Sequence, residues 1–186
     1  MKILIVVALF VALPFSALAV DYQGHCSVLF QGSSTLHDFD GKGSCQPFTV
    51  TENSGRMTIP ELKVSVADMD TDNSKRDKKM FQMFEAEKYP VITGNTGAVV
   101  LDSFRSKLKE RNDSAADIVI DLKIRDIEKP VTAQLKNVNE TSSEISADLV
   151  FQVSLSDYQL EPPSVLGIIR VGDVVNVTVS LLLKAQ

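Results

Sequence analysis

The chain contains two cysteines and two histidines, whose side chains are suited to a disulfide bond or to binding a metal ion. In an oxidising compartment two cysteines suggest one disulfide, Cys26 to Cys45, which loop-closure models value at about 3 kcal/mol. The alternative is a metal site that adds His25 and His37 to the two cysteines. Because this spacing matches no compact zinc pattern, the sequence favours the disulfide and predicts no metal.

Catalytic motifs are missing from the sequence. It contains no Gly-x-Ser-x-Gly elbow, paired-histidine zinc motif, phosphate loop or dinucleotide fingerprint. The 24 Asp and Glu residues are plentiful, but no pattern pairs two of them across a cleft. We therefore predict neither enzyme activity nor a cofactor. A hydrolytic or other enzyme is the weaker alternative, which a water-filled interior with a histidine and two carboxylates would support.

The charge of the chain argues against one class of binding partner. The 19 Lys and Arg against 24 Asp and Glu give a net charge of −5, and 44% of the residues are hydrophobic. Nucleic acid is not expected as a partner, because a phosphate backbone needs clustered basic residues. The apolar fraction is too high for disorder, so the chain is expected to fold as a globular domain.

The start of the chain is typical of a cleaved secretory signal. Lys2 is followed by an apolar run over residues 3–13, then by Pro14 and the pattern Ala17-Leu18-Ala19. The run is too short to cross a hydrocarbon core of about 30 Å, so no membrane-spanning anchor is expected. We predict a signal peptide at residues 1–19, cleaved after Ala19, and one domain at residues 20–186. The protein is then periplasmic or secreted.

Alternating apolar and polar residues indicate strands in most of the chain. The alternation is clearest over residues 118–124, 149–155 and 175–183. Weaker runs cover residues 22–31, 36–50, 57–67, 90–101 and 130–138. Turn-forming clusters separate these runs, so the pattern predicts about eight strands with short connections and antiparallel neighbours.

Residues 72–88 predict one amphipathic helix. Asp72 or Asn73 is suited to cap its start, and Pro90 ends it. The apolar side of this helix carries Met80, Phe81, Met83 and Phe84. Eight antiparallel strands with one helix suit either a closed barrel or a sandwich, and composition does not choose between them.

Four segments, in this order along the chain, resemble a known family, and the resemblance favours the barrel over the sandwich. They are Ser-Thr-Leu-His-Asp-Phe-Asp-Gly at 34–41, Met-Asp-Thr-Asp-Asn-Ser-Lys-Arg-Asp at 69–77, Phe-Glu-Ala-Glu-Lys-Tyr-Pro-Val-Ile-Thr at 84–93, and Ile-Arg-Asp-Ile-Glu-Lys-Pro-Val-Thr at 124–132. Together they resemble the YceI family of exported, lipocalin-like barrels that bind polyisoprenoids and related lipids. The resemblance implies an all-β, mainly antiparallel, eight-stranded lipocalin-like barrel with one amphipathic helix near one end. Gly94 stands where members of that family usually carry an aromatic residue.

The leading functional hypothesis is an exported carrier that sequesters a long apolar ligand inside the barrel. A polyisoprenoid, an isoprenoid quinone or another lipid would fit. The candidate ligand-binding residues are Phe30, Phe39, Met80, Phe81, Phe84, Ile92, Ile120, Phe151, Val153, Leu155 and Val177. The candidates for holding a polar headgroup at the mouth are His37, Arg76, Asp77 and Tyr158.

A different class of function stays open from sequence. The barrel could be filled by its own side chains and act as a protein-binding module through its loops or the basic face of the helix. A cavity of several hundred Å³ favours the carrier, and a filled interior favours the module. The sequence leaves the ligand's identity, a transport or storage role, and the oligomeric state open.

Overall fold

The computed structural model describes residues 19–100, 116–162, 164–165 and 169–186. Within them the predicted class is confirmed, because the strands pair antiparallel and one α-helix accompanies them. The predicted signal segment lies outside the described residues up to residue 18. The elements are β1 (Val20–Ser34), β2 (Phe39–Ser44), β3 (Phe48–Asn53), β4 (Arg56–Thr58), β5 (Leu62–Ser65), α1 (Ser74–Met83), β6 (Val91–Asn95), β7 (Ala98–Val100), β8 (Ala116–Ile124), β9 (Ile127–Glu140), β10 (Glu144–Ser154), β11 (Ser164–Val165) and β12 (Ile169–Ala185).

The described residues form twelve strands rather than eight, because three predicted runs are each broken once. Pro47 separates β2 from β3, and Pro60 separates β4 from β5. A proline has no N–H to donate to the strand ladder, so it ends regular pairing. Gly97, at a φ of +65°, makes the turn between β6 and β7. The short β11 adds the remaining strand.

The twelve strands form one curled sheet. Its path runs β5-β6-β8-β9-β10-β12-β1-β3-β4-β7, with β2 paired to β1 and β11 paired to β12. Strand β1 is shared, since residues 20–24 pair with β3 and residues 27–32 pair with β2. Isolated bridges, Cys45 to Val64 and Lys42 to Asp70, connect the β2 segment back to the β5 segment. The sheet is thus a half-barrel whose remaining side is spanned by these bridges.

Helix α1 begins as predicted but ends earlier. The side chain of Asn73 accepts hydrogen bonds from the N–H groups of Lys75 and Arg76, and so caps the first turn. At the other end, Glu85 takes a left-handed φ of 50°. The N–H of Ala86 then donates to the carbonyl of Phe81, which is the usual closing bond of a helix C-terminus. The predicted final turn is therefore a separate turn that packs against the sheet.

The interior is packed at one end and hollow at the other. A closed cluster between β1, β3, β4 and β12 consists of Tyr22, Phe48, Val50, Met57 and Leu183. A second, larger cluster lies between α1 and strands β8, β9, β10 and β12. The larger cluster surrounds the cavity described below.

The structure contains the predicted disulfide between Cys26 and Cys45. Their Cα atoms lie 5.2 Å apart, and the N–H of Cys45 donates to the carbonyl of Cys26 at 3.1 Å. Because the two sulfurs are bonded to each other, they are not available to the metal site considered as an alternative. Cys45 also makes the bridge to Val64, so the disulfide fixes β1 beside the weakly joined side of the half-barrel.

Candidate functional site

A cavity of about 190 Å³ lies between the sheet and α1. The alternation of the long strands builds its wall, since every second residue of a strand points to the same face. Strand β8 supplies Ile120, Leu122 and Ile124, and β12 supplies Val175 and Val177 among others. The interior is therefore not filled, although the cavity is smaller than the several hundred Å³ expected for a carrier.

The residues lining the cavity are mostly aliphatic or aromatic. In the described part of the chain no histidine, aspartate or glutamate is among them. No group of three or more His, Cys, Asp or Glu residues within the described ranges is arranged to hold a metal ion. The described wall is therefore suited to burying apolar surface.

Two phenylalanine rings lie flat against the wall because glycines stand opposite them. Phe30 of β1 pairs with Gly41 of β2, and Gly32 of β1 pairs with Phe39 of β2. A Cβ on Gly41 would overlap the ring of Phe30, and a Cβ on Gly32 would lie 2.5 Å from the Phe39 ring. Each ring therefore occupies the space that a glycine leaves free, and the centre of the cavity stays open.

Flexible side chains form the helical side of the cavity. Met80, Met83 and Phe84 come from α1 and the residue after it, and Met69 precedes the helix. Methionine is unbranched and polarisable, so it adapts to irregular apolar shapes. This side of the cavity can change shape at lower cost than the branched residues of the strands.

Arg76 is the single charged residue among the described residues that line the cavity. Its Nε donates to the Thr71 hydroxyl at 2.8 Å and one Nη donates to the Thr71 carbonyl at 2.7 Å. The guanidinium carbon lies 4.5 Å from the centre of the Phe39 ring, in a cation–π contact. The buried Thr71 in turn donates its N–H and hydroxyl to the Asp77 carboxylate. These contacts hold a cation in one orientation at the border of an apolar cavity.

The structure brings together nearly all the residues predicted to bind ligand. The exception is Phe81, which is half-buried and packs against the core cluster without lining the cavity. The predicted residues that line it are Phe30, Phe39, Met80, Phe84, Ile92, Ile120, Phe151, Val153, Leu155 and Val177. Contact with a ligand stays a prediction for each of them.

The four headgroup candidates are not in one place. Arg76 lines the cavity, and Asp77 is linked to it through Thr71. His37 is exposed in the loop between β1 and β2, where its carbonyl accepts from the Ser34 hydroxyl at 2.7 Å. Tyr158 is 2% exposed and its hydroxyl donates to the Leu122 carbonyl at 3.4 Å, behind the cavity wall.

Burial, followed by the charge of Asp157, raises the pKa of Tyr158 above its ordinary value. The unfolded chain therefore loses this proton at a lower pH than the folded protein does. The stability that the neutral phenol contributes is complete below about pH 10 and is lost as the pH rises through the raised pKa. We expect the free energy of unfolding to fall more steeply between about pH 9 and about pH 11 in the native protein than in Tyr158→Phe. Denaturant titrations at each pH measure this, and equal slopes would show that Tyr158 does not contribute.

Several lining residues were missed from sequence. Leu122, Ile124 and Leu149 share the strand face of residues that were predicted, so the alternation already indicated them. Other residues had no such signal. Gly32 lines the cavity because of its cross-strand pairing with Phe39, and Thr71 contributes by holding the side chain of Arg76; only the fold creates these contacts.

A family model described as YceI-like domain matches residues 20–183. The curated proteins include no match to the chain. Within the ranges that the structure describes, no helix is long and apolar enough to cross a membrane.

Solved structures share the fold. A polyisoprenoid binding domain from Saccharophagus degradans, implicated in plant cell wall breakdown, has a TM-score of 0.60 at 14% identity, covering 89% of this chain and 98% of that domain. BcnA of Burkholderia cenocepacia has a TM-score of 0.63 at 16% identity, covering 84% of this chain and 95% of BcnA. The YceI protein of Campylobacter jejuni has a TM-score of 0.50 at 16% identity, covering 70% of this chain and 72% of the Campylobacter protein. At these identities the likeness shows the fold alone.

Proposed function

The chain belongs to the YceI-like domain family, and on that premise we propose that it is an exported carrier that holds part of a long apolar lipid in its cavity. The observation that carries this proposal is an apolar cavity of about 190 Å³ whose described wall contains no carboxylate and no histidine. The polyisoprenoid binding domain of Saccharophagus degradans shares the fold, which supports a polyisoprenoid as the first ligand to test. An isoprenoid quinone or another lipid fits the same chemistry.

Moving the hydrocarbon chain of the lipid from water into the apolar cavity supplies the binding free energy. Each buried methylene is worth about 0.8 kcal/mol, so one five-carbon isoprene unit contributes roughly 4 kcal/mol before entropic costs. A cavity of about 150 Å³ is enough for benzene. The cavity of 190 Å³ therefore accepts a short section of a lipid chain in its present shape.

A longer section needs the wall to move, and the methionines make this possible. Met69, Met80 and Met83 line the same side of the cavity. Rotation of their side chains moves thioether groups without disturbing the strands. The carrier therefore enlarges on the helical side when a longer chain enters.

Arg76 is suited to an acidic headgroup. It is held by Thr71 and Phe39, and none of the ion pairs found among the described residues involves it. A guanidinium in this position offers its remaining N–H donors to a phosphate or carboxylate. The ligand would then lie with its apolar chain inside and its acidic end at Arg76.

Export is part of the proposal. The apolar run, Pro14 and the small residues before Val20 are typical of a secretory signal, and a disulfide persists in oxidising compartments. Mass spectrometry of the protein from its native cells would give the mature N-terminus, and a mass that includes residues 1–19 would contradict cleavage.

Native mass spectrometry of the purified protein, followed by organic extraction, tests the carrier function. We expect a species heavier than the protein chain, and we expect extraction to release an apolar molecule and restore the chain mass. A protein that carries no such molecule, and that does not bind added farnesol or phytol, would overturn the proposal.

Substitution of Arg76 tests the headgroup assignment. We expect Arg76→Gln to weaken binding of farnesyl phosphate by about 10-fold, because a hydrogen bond to a charged group is worth about 1.5–3 kcal/mol. Binding of farnesol, which has the same chain and no charge, should change little. Competition with a fluorescent lipid measures both affinities.

Lys75→Gln is the matched control, since Lys75 is exposed on the same helix and does not line the cavity. It removes the same charge and should leave both affinities unchanged. An equal loss for farnesol and its phosphate in Arg76→Gln would show that Arg76 acts through Thr71 and Phe39 packing alone.

A further inference from the structure

Gly94 leaves an unfilled recess in the cavity wall. Gly32, which lines the cavity, and Gly41, which lies behind Phe30, are covered by the rings of Phe39 and Phe30 respectively. Gly94 also lines the cavity, but no ring covers it. The nearest atom to a Cβ built there is Cγ2 of Ile120, at 3.4 Å. The protein thus fills the space beside two glycines and leaves it open beside the third.

The backbone at Gly94 does not require glycine. The residue lies in β6, opposite Leu62 of β5 and Leu122 of β8. The positive-φ glycines of the described chain are Gly55 and Gly97. A side chain at position 94 would therefore be accepted by the strand and would extend into the cavity beside Ile120. Its absence affects cavity shape more than folding.

We propose that Gly94 is a specificity-determining residue, whose recess receives the branches of a methyl-branched chain and so favours isoprenoids over straight acyl chains. This inference rests on the proposed carrier function. A straight polymethylene chain has a uniform width and gains nothing from a recess, whereas a methyl branch buries additional apolar surface there. The large side chains on either side, Leu62 and Leu122, confine that gain to one position.

A matched pair of probes tests this role. Phytol and hexadecanol have the same main-chain length and the same hydroxyl, but only phytol carries methyl branches. We expect the native protein to bind phytol more tightly. We expect Gly94→Val to weaken phytol binding by about 10-fold, and hexadecanol binding by less than about threefold, with Gly94→Ala intermediate. Competition with a fluorescent lipid measures the affinity of each protein for both alcohols, and thermal unfolding confirms that each variant is folded.

Gly43→Ala is the control for adding a side chain to a strand glycine. Gly43 does not line the cavity, and its Cβ would lie 3.6 Å from the lining residues Met69 and Val64, at ordinary contact distance, so neither has to move. It should leave the ratio of phytol to hexadecanol affinity unchanged. If Gly94→Val and Gly94→Ala keep the native ratio, the inference is overturned while the carrier function stands. If the native protein binds neither alcohol, this inference is overturned, and if it also releases no apolar molecule on extraction and does not bind farnesol, the carrier function is overturned with it.

Discussion

Gly41→Ala should give a folded protein that binds a long apolar probe at least about 100-fold more weakly than the native protein does. The new Cβ would overlap the ring of Phe30, which lies over Gly41 from the neighbouring strand. The overlapping atoms belong to the far end of that ring, and Phe30 lines the cavity, so the ring can swing inward. A cavity of about 150 Å³ is enough for benzene, so one phenyl ring takes up most of the 190 Å³ available.

A second substitution separates blocking from misfolding. In Gly41→Ala with Phe30→Ala the obstructing ring is gone, and we expect probe binding to recover by at least about 10-fold relative to Gly41→Ala. Gly43→Ala, on the same strand, should bind the probe normally. Titration with a fluorescent lipid gives the affinities, and thermal unfolding reports the folded state. Native affinity in a folded Gly41→Ala protein would show that the ligand does not occupy this cavity.

The sequence predicted the class of fold because alternation is a local property. The alternating runs around Ile120, Phe151 and Val177 indicate which face of each strand is apolar. These three residues line the cavity. The number of strands depends instead on where pairing between strands ends, which the alternation does not show. Pro47, Pro60 and the turn at Gly97 each end a ladder that the apolar pattern continues through, so the pattern predicts three single strands where the structure has three pairs.

The site was harder to predict wherever it depends on pairing between strands. Gly41 matters because it lies opposite Phe30, and this register is set by β1 and β2 together. The helical pattern puts Phe81 on the apolar side, yet it packs against the larger cluster without lining the cavity, which Met80, Met83 and Phe84 line instead. An amphipathic pattern indicates a buried side but not which part of it lies beside empty space.

The positions of the polar residues predicted to hold a headgroup are set by loops and turns rather than by strands. His37 and Tyr158 were proposed for a mouth that the sequence could not locate, and the structure places one in an exposed loop and the other behind the wall. Arg76 lines the cavity because Thr71, in the turn before the helix, holds its guanidinium. Contacts of this kind join residues whose spacing carries no periodic signal.

The joint between β2 and β5 is the weakest connection around the cavity. Strands β1 and β12 are paired from Tyr22 to Ser34, whereas the β2 and β5 segments share isolated bridges at Lys42 and Cys45. The carbonyl of Lys63 accepts one further bond from the N–H of Gln46 at 2.8 Å. Cys45 lines the cavity at this joint and is fastened to β1 by the disulfide. The disulfide therefore restrains both the unfolded chain and the wall of the site.

Reduction of this disulfide should lower the free energy of unfolding by about 3 kcal/mol, which corresponds to a fall in Tm of roughly 6–12 °C for a chain of this size. The Cys26→Ala/Cys45→Ala variant should show a similar loss and no further response to reductant. Because the joint beside Cys45 is released, we also expect a bound lipid probe to dissociate several-fold faster from the reduced protein, by an amount that stopped-flow fluorescence measures. An unchanged Tm after alkylation has confirmed two free thiols would contradict the stabilising role. An unchanged dissociation rate in the less stable protein would instead show that the lipid leaves elsewhere than between β2 and β5.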